Sequence, residues 1–254
     1  MGISFLVFHF LYIMYFKTGG IVLHGLKYGD SGKIVTVYTE AFGRSTFILQ
    51  GIHAKKSTNK ANLLQPLFML EMEVDHRQGR ELQRARELKI SHPYQTVPFD
   101  IVKSSQALFI AELLYKVLKE EEARSELYQF LSHSFQIFDL LREGAANFHL
   151  AFLIQLTKYM GFAPGNNWAE DRQFFDMASG IFAENKPPHP YWLNPDESRF
   201  ISEFLNISYE KIGSIALTSP MRNLLLIKII DYFSLHLGIR LQVKSLDVLH
   251  ELFS

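Results

Sequence analysis

The run Gly29-Asp30-Ser31-Gly32-Lys33 sets glycine, serine and lysine close enough together to suggest phosphate or nucleophile chemistry. A phosphate-cradling loop requires Gly-x-x-x-x-Gly-Lys-Ser/Thr opening onto a helix whose first N–H groups meet the phosphates. Here Lys27 stands where the first glycine should be, Ile34 follows Lys33, and the following residues have strand character. A nucleophile elbow requires Gly-x-Ser-x-Gly at a strand–helix junction, and Ser31 lacks that frame. The run reads instead as a hairpin turn that uses Gly, Asp and Ser for their backbone tolerance. The ten histidines form no His-x-x-x-His pair. Glu71, Glu73 and Asp75 make a carboxylate ladder that could hold Mg²⁺, but they alternate with Leu70, Met72 and Val74 as the solvated face of a half-buried strand does. Cysteine is absent, which excludes disulfides and Cys-based zinc or iron–sulfur sites. No hydrolase or transferase constellation is left. The chain reads as a protein that is not an enzyme and has no cofactor.

What survives is a set of cations. Lys33 and Arg44 flank one strand-like segment, Lys55, Lys56 and Lys60 crowd one polar loop, and Arg84, Arg86 and Lys89 follow on another segment. In a regular strand Arg84 and Arg86 share a face. Tyr38, Phe42 and Phe47 are candidate platforms for stacked bases, Phe47 having a core position as its alternative. The chain has 26 basic and 26 acidic residues, but the balance is uneven along it. Residues 14–95 hold twelve Lys and Arg against seven Asp and Glu, a surplus of +5, and the remainder carries −5. A segment with that surplus points to an anionic partner.

The elements that must position these cations are short. Five β-rich segments separated by turn signals between Phe16 and Ser91 predict a small β-barrel or sandwich. From Ser104 the period changes: Ala107, Ala111, Leu114 and Leu118, then Leu127, Leu131, Phe135, Phe138 and Leu141, recur at helical spacing. A further helix is expected from an Asn147 cap to Gly161. Another is expected with Ser219 as cap, Pro220 first and Gly238 as terminator, apolar nearly all round and so central. Residues 162–195 hold five of the nine prolines and read as a loop-rich insertion with a hairpin at Ser179-Gly180. The run Ile3–Phe16 is too short to span a bilayer and lacks a signal peptide's basic start and cleavage site. Met14 is the expected initiator, with residues 1–13 an apolar extension.

The order of "KTGGIVLHGLKYGDSGKIVTVYTEAFGR", "GIHAKKS", "LLQPLFMLEMEV", "ARELKISHPY", "LFIAELLYKVL", "LAFLIQLTKYMGFAP" and "FFDMASGIF…PPHPYWL" resembles the bacterial recombination mediator family RecO. The resemblance covers nearly everything from Met14 onward. It implies an α+β, two-domain chain: an OB-fold β-barrel over 14–95, then an α-helical bundle over 96–254 carrying the loop-rich, cysteine-free insertion. Where the family often has a Cys₄ zinc module, this sequence has none, so that stretch is expected to fold by packing. The family implies cytoplasmic, nucleoid-associated work in DNA repair without a membrane. It binds single- and double-stranded DNA, anneals complementary strands, and with RecR helps load a RecA-class recombinase. By this resemblance Lys33, Arg44, Lys55, Lys56, Lys60, Arg84 and Arg86 would contact DNA, with Lys89 and Tyr38 beside them. The family also docks the acidic, Phe-ended tail of single-strand-binding protein; Lys116, Arg142 or Lys158 could edge that pocket. The rival readings are an RNA-binding barrel of translation or ribosome assembly, a scaffold for an acidic protein, and a hydrolase.

Overall fold

The computed structural model describes residues 15–30, 32–50 and 62–252. Five strands, β1 Tyr15–Tyr28, β2 Gly32–Thr39, β3 Gly43–Leu49, β4 Met69–Asp75 and β5 Leu82–His92, form a closed barrel in the order β1-β2-β3-β5-β4. All neighbours run antiparallel except β3 and β5, which close the barrel in parallel. The long first strand serves two neighbours, β4 through residues 15–21 and β2 through residues 20–28. Its register shifts between Val22 and His24, a bulge that bends the strand between partners. Gly20 faces inward, where an added Cβ would lie 2.6 Å from Val37 and 2.7 Å from Met72. Val22, Val35, Val37, Phe47, Leu70, Met72 and Val74 fill the interior, so the alternation read in β4 places Glu71 and Glu73 outside as expected, whereas Asp75 at the strand's end is buried and paired with Arg77 and Arg80 instead of solvated.

The helical part follows as α1 Ile101–Val117, α2 Ser125–Leu140, α3 Phe148–Met160, α4 Pro195–Asn206, α5 Ser219–Leu237 and α6 Ser245–Leu252. The helical spacing read in the sequence buries Ala107, Ala111, Leu114, Leu127, Leu131, Phe135 and Phe138. The central helix is not the one expected. In α3 every residue from Phe148 to Ile154 is buried, whereas α5 leaves Leu224 and Ile227 37% and 41% exposed. An all-apolar helix can lie at an edge when one of its faces has no neighbour. The caps also shift. Thr218, not Ser219, caps α5 by accepting from the Met221 N–H at 3.4 Å. Asn147 does not cap α3; its side chain accepts from Arg222 Nε at 2.9 Å and donates to the Ile215 carbonyl at 2.8 Å. Gly161 and Gly238 end their helices in the left-handed conformation, as read.

The insertion carries strands β6 Phe174–Asp176, β7 Ile181–Ala183 and β8 Trp192–Leu193 in the order β7-β6-β8. The β6–β7 hairpin turns at Ser179-Gly180, where Asp176 accepts from the Ala178 and Ser179 N–H groups and Gly180 has φ +72°. Phe175, Met177, Phe182 and Leu193 are buried, Phe175 lies against Phe182 and Tyr232, and the Asn167 side chain bonds both the N–H and the C=O of Phe182. Aromatic packing thus holds this stretch.

Barrel and bundle share one core. Ile21, Leu23 and Tyr38 on the outer wall of the barrel belong to the same buried cluster as α1 to α6. The connection between them is fastened by Asp139 of α2, whose carboxylate accepts from the N–H groups of Gln95, Thr96 and Val97 at 2.8, 2.8 and 3.0 Å. Beneath it the buried Lys103 ammonium donates to Thr96 Oγ1 and to the Asp139 and Leu141 carbonyls at 2.7, 2.8 and 2.7 Å. Burial would raise the Asp139 carboxyl, but these N–H donors and the Thr96 hydroxyl outweigh it and hold it below the usual carboxylate range. Removing the carboxylate orphans three N–H groups and takes from Lys103 the stronger of the two carboxylates, Asp139 and Asp100, that act on it. Asp139→Ala is therefore expected to cost roughly 3–5 kcal/mol at neutral pH. A depressed carboxyl gives stability that is present above about pH 4 and lost as pH falls through its folded value. Denaturant unfolding of wild type and variant at pH 7 and pH 3 should show the gap narrowing in acid; a gap of equal size at both values would refute the fastening role.

Candidate nucleic-acid interface

The outer surface of the barrel is two-sided. On one wall, across β1, β4 and β5, a hollow is lined by Glu40, Glu71, Glu73 and Glu87 with Lys17 and Lys89. Lys89 stands directly opposite Glu71 in the ladder. Arg86 pairs with Glu73 at 3.9 Å and lies over the Tyr15 ring at 5.3 Å. A phosphate approaching this wall meets four carboxylates, so Arg86 and Lys89 serve it poorly. The register shift between Glu73 and Val74 makes Arg86 the extra residue of β5, which turns both Arg86 and Glu87 outward. Arg84 and Arg86, expected to share a face of a regular strand, are both exposed, but the bulge parts them and Arg84 is registered with Ile48 of β3 and Asp75 of β4.

That second wall runs over β1, β2, β3 and β5. The ladder sets Leu26, Ile34, Ile48 and Arg84 in one cross-strand row, with Thr36, Thr46 and Leu82 in the next. Leu26, Tyr28 and Leu82 are 54%, 52% and 39% exposed. This is an apolar strip with a guanidinium at its edge and an aromatic ring at its β1 end; beyond Arg84 the first row continues to the buried Asp75 of β4, which pairs with Arg77 and Arg80. Tyr28 was not singled out in the sequence, although its place beside the β1–β2 turn is where a barrel side chain escapes cover.

Four of the expected residues are engaged within the fold instead. Tyr38 is 2% exposed and packed against the helices, so it offers no face to a base; burial pushes its hydroxyl up to about 12. Its strand position faces outward, but the bundle covers that part of the wall. Phe47 is fully buried inside the barrel, and Phe42 is stacked on His76 at 3.9 Å. Arg44 also faces the bundle: it donates to the Tyr115 and Leu118 carbonyls at 3.2 and 3.0 Å and lies over the Tyr115 ring. It closes the free C-terminal carbonyls of α1, a role that helix ends require.

Lys33 sits at the mouth of a cleft between barrel and bundle, half-buried, with Nζ 3.4 Å from the Leu64 carbonyl. Burial holds its ammonium below the usual lysine range. Lys55, Lys56 and Lys60 lie outside the described residues. Of the cations considered for a partner, Lys116 lines the same cleft, whereas Arg142 and Lys158 are exposed. Lys116 is in the last turn of α1; Arg142 lies near its other end, where Lys103 meets Leu141. They do not converge. Among the described residues no group of three or more His, Asp or Glu could hold a metal ion, and no helix there is long and apolar enough to cross a membrane.

Residues 14–94 match the family described as "Recombination protein O N terminal", and residues 98–246 match "Recombination protein O C terminal". The chain belongs to the RecO family. It is 39% identical over 238 residues to a DNA repair protein RecO of Phocaeicola vulgatus, covering 94% of this chain and 99% of the relative. A Bacteroides fragilis relative is 38% identical over 238 residues, covering 93% and 98%, and one from Flavobacterium psychrophilum is 34% identical over 243, covering 95% and 100%. Both carry the same description. The barrel is accordingly the OB-fold of a RecO-family DNA repair protein.

If Arg44 clasps the bundle, Arg44→Ala should lower unfolding stability by about 1.5–3 kcal/mol, the worth of hydrogen bonds from a charged donor. Lys89→Ala, amid carboxylates, should leave affinity for single-stranded DNA within about twofold. Chemical denaturation and fluorescence anisotropy check the pair; weaker binding by Lys89→Ala with intact stability would return the acidic wall to consideration.

Proposed function

We propose that the chain binds single- and double-stranded DNA through its OB barrel, promotes annealing of complementary strands, and with RecR helps load a RecA-class recombinase at the nucleoid. The observation that carries the reading is the β1–β2–β3–β5 wall, an apolar strip that leaves Leu26, Tyr28 and Leu82 exposed among the described residues, with Arg84 at its edge. Small barrels bind single strands by laying bases on apolar and aromatic surface while cations track the backbone. The hydrophobic strip suits bases of any identity, so sequence is left to pairing between the strands. Cations lower the repulsion between two polyanions and release counterions as they do so. Partner docking falls to the bundle. The acidic, Phe-ended tail of single-strand-binding protein requires an apolar groove with a cation on its rim. The groove of about 690 Å³ between α5 and residues 238–246, with Ile227, Ile230 and Leu241 in its wall and Arg240 beside them, has both.

Binding titrations over a salt series, joined to a strand-annealing assay, test this. Tyr28→Ala should weaken single-strand binding by roughly 5- to 150-fold, the range of one lost stacking contact. Arg84→Glu and Lys55/Lys56/Lys60→Glu should weaken binding to all sequences alike, flatten the salt slope and slow annealing. Unchanged affinity in all three, or a preference for RNA over single-stranded DNA of equal length, would overturn the reading.

A further inference from the structure

The cleft at Lys33 has a chemistry of its own. It is a cavity of about 490 Å³ between the barrel and α1, walled by Leu23, Leu64 and Leu108 and bordered by Lys33, Lys116 and Lys244. A second cavity of about 430 Å³, with Lys119, Arg44 and Arg240 on its border, shares Tyr115 and Lys116 with the first, so the two adjoin. Glu112 is the one carboxylate among the residues lining them, and it is already engaged. Its oxygens accept from the Lys244 and Ser245 N–H groups, both at 2.9 Å, and from the Ser245 hydroxyl at 2.6 Å, and pair with Lys116 at 3.4 Å. That arrangement ties residue 244 to α1 and fixes where its ammonium can reach. Among the described residues no carboxylate pairs with Lys33, Lys119 or Lys244. At the mouth His24 lies against Tyr115, ring centroids 4.6 Å apart. Burial keeps its imidazole below the usual range, Glu112 opposes this, and Lys116, Arg44 and Lys33 add to it.

Lys33 is half-buried, Lys119 and Lys244 are exposed, and none of the three pairs with a carboxylate among the described residues, while Lys116 is half-buried beside Glu112; ammonium groups so placed favour a ligand that brings the missing anions. We propose that this junction cleft is a second phosphodiester site, in which a single DNA strand leaving the barrel wall lays its backbone across Lys33, Lys116, Lys244 and Lys119. It rests on the DNA-binding reading and extends it onto the bundle. Lys33 lies on β2, Lys116 in the last turn of α1, Lys119 two residues past its end, and Lys244 is tied by its N–H to Glu112; the cleft opens on β1 and β2, which also carry the apolar strip. Cations spread over three parts of the fold suit an anion that repeats along an extended chain. The strand would thus be held at two places, on the wall by its bases and in the cleft by its phosphates.

The test compares the full chain with a Lys116→Ala/Lys244→Ala variant, using oligothymidylates of about 6 and about 25 nucleotides. One OB barrel occupies roughly 4–16 nucleotides, so the shorter ligand reports on the wall alone. The variant should bind the 6-mer as wild type does. For the 25-mer its log–log salt slope should fall by about 1.4, the loss of two single-strand phosphate contacts. The His24 ring resonances should shift with the 25-mer and not with the 6-mer. Circular dichroism and thermal unfolding of the variant should match wild type, since Glu112 keeps its backbone donors. A variant with the wild-type slope on the 25-mer overturns the cleft and leaves the barrel reading standing. So does a His24 shift produced by an acidic, Phe-ended peptide but not by the 25-mer. Failure of the wild type to bind either length overturns both.

Discussion

A single buried carboxylate sets the geometry on which the functional surfaces depend. Asp139 holds three successive N–H groups of the barrel–bundle connection while Lys103 holds the carbonyls beneath it. On another side Arg44 of the barrel binds the last carbonyls of α1, and the Arg44 N–H bonds the Glu120 carbonyl at 3.0 Å. Between these two attachments Ile21, Leu23 and Tyr38 enter the helical core. Two folding units joined by a solvated linker would be expected to move against each other. Here the shared core and the charge-assisted hydrogen bonds make the cleft between them a fixed feature, lined by both parts.

The same attachment divides the surface of the barrel. Covering one portion of the outer wall buries Tyr38 and ties the half-buried Arg44 to the carbonyls at the end of α1. A second portion is acidic, where Glu40, Glu71, Glu73 and Glu87 surround Lys17 and Lys89. What remains is the wall of Leu26, Ile34, Ile48 and Leu82 bordered by Arg84, and it leads to the cleft. A surplus of basic residues along the sequence therefore becomes directional only after the bundle docks, because docking hides some cations and leaves others beside acids. Like-charge repulsion makes the acidic wall the side a polyanion avoids.

The cysteine-free insertion shows how a stretch rich in proline and turns can be ordered by packing. Three very short strands could not hold alone. They are set against α4 and α5 by Phe175, Phe182 and Tyr232, by the Tyr232 hydroxyl donating to the Phe162 carbonyl at 2.8 Å, and by Ser198, whose hydroxyl accepts from the Phe175 N–H at 2.8 Å. Aromatic area supplies what a metal or disulfide would otherwise supply in so small a unit.

By itself the sequence determined the local order: five strands ending at Gly and Asp turns, helices from the spacing of Leu and Phe, left-handed stops at Gly161 and Gly238, and the hairpin at Ser179-Gly180. These depend on residues a few positions apart, which period and turn chemistry report directly. The order of its segments also carried the likeness to the RecO family. Only the tertiary structure decided which outward positions stay outward. Alternation along β2 puts Tyr38 on the outer wall, but whether that wall meets water or a helix depends on contacts across some eighty residues of chain. For the same reason α3 and not α5 is central, Asn147 bridges to Arg222 instead of capping its helix, and Lys33 and Lys116 meet in one cleft. Hydrophobic periodicity says that a face is covered; it does not say by what, because burial has no direction in sequence.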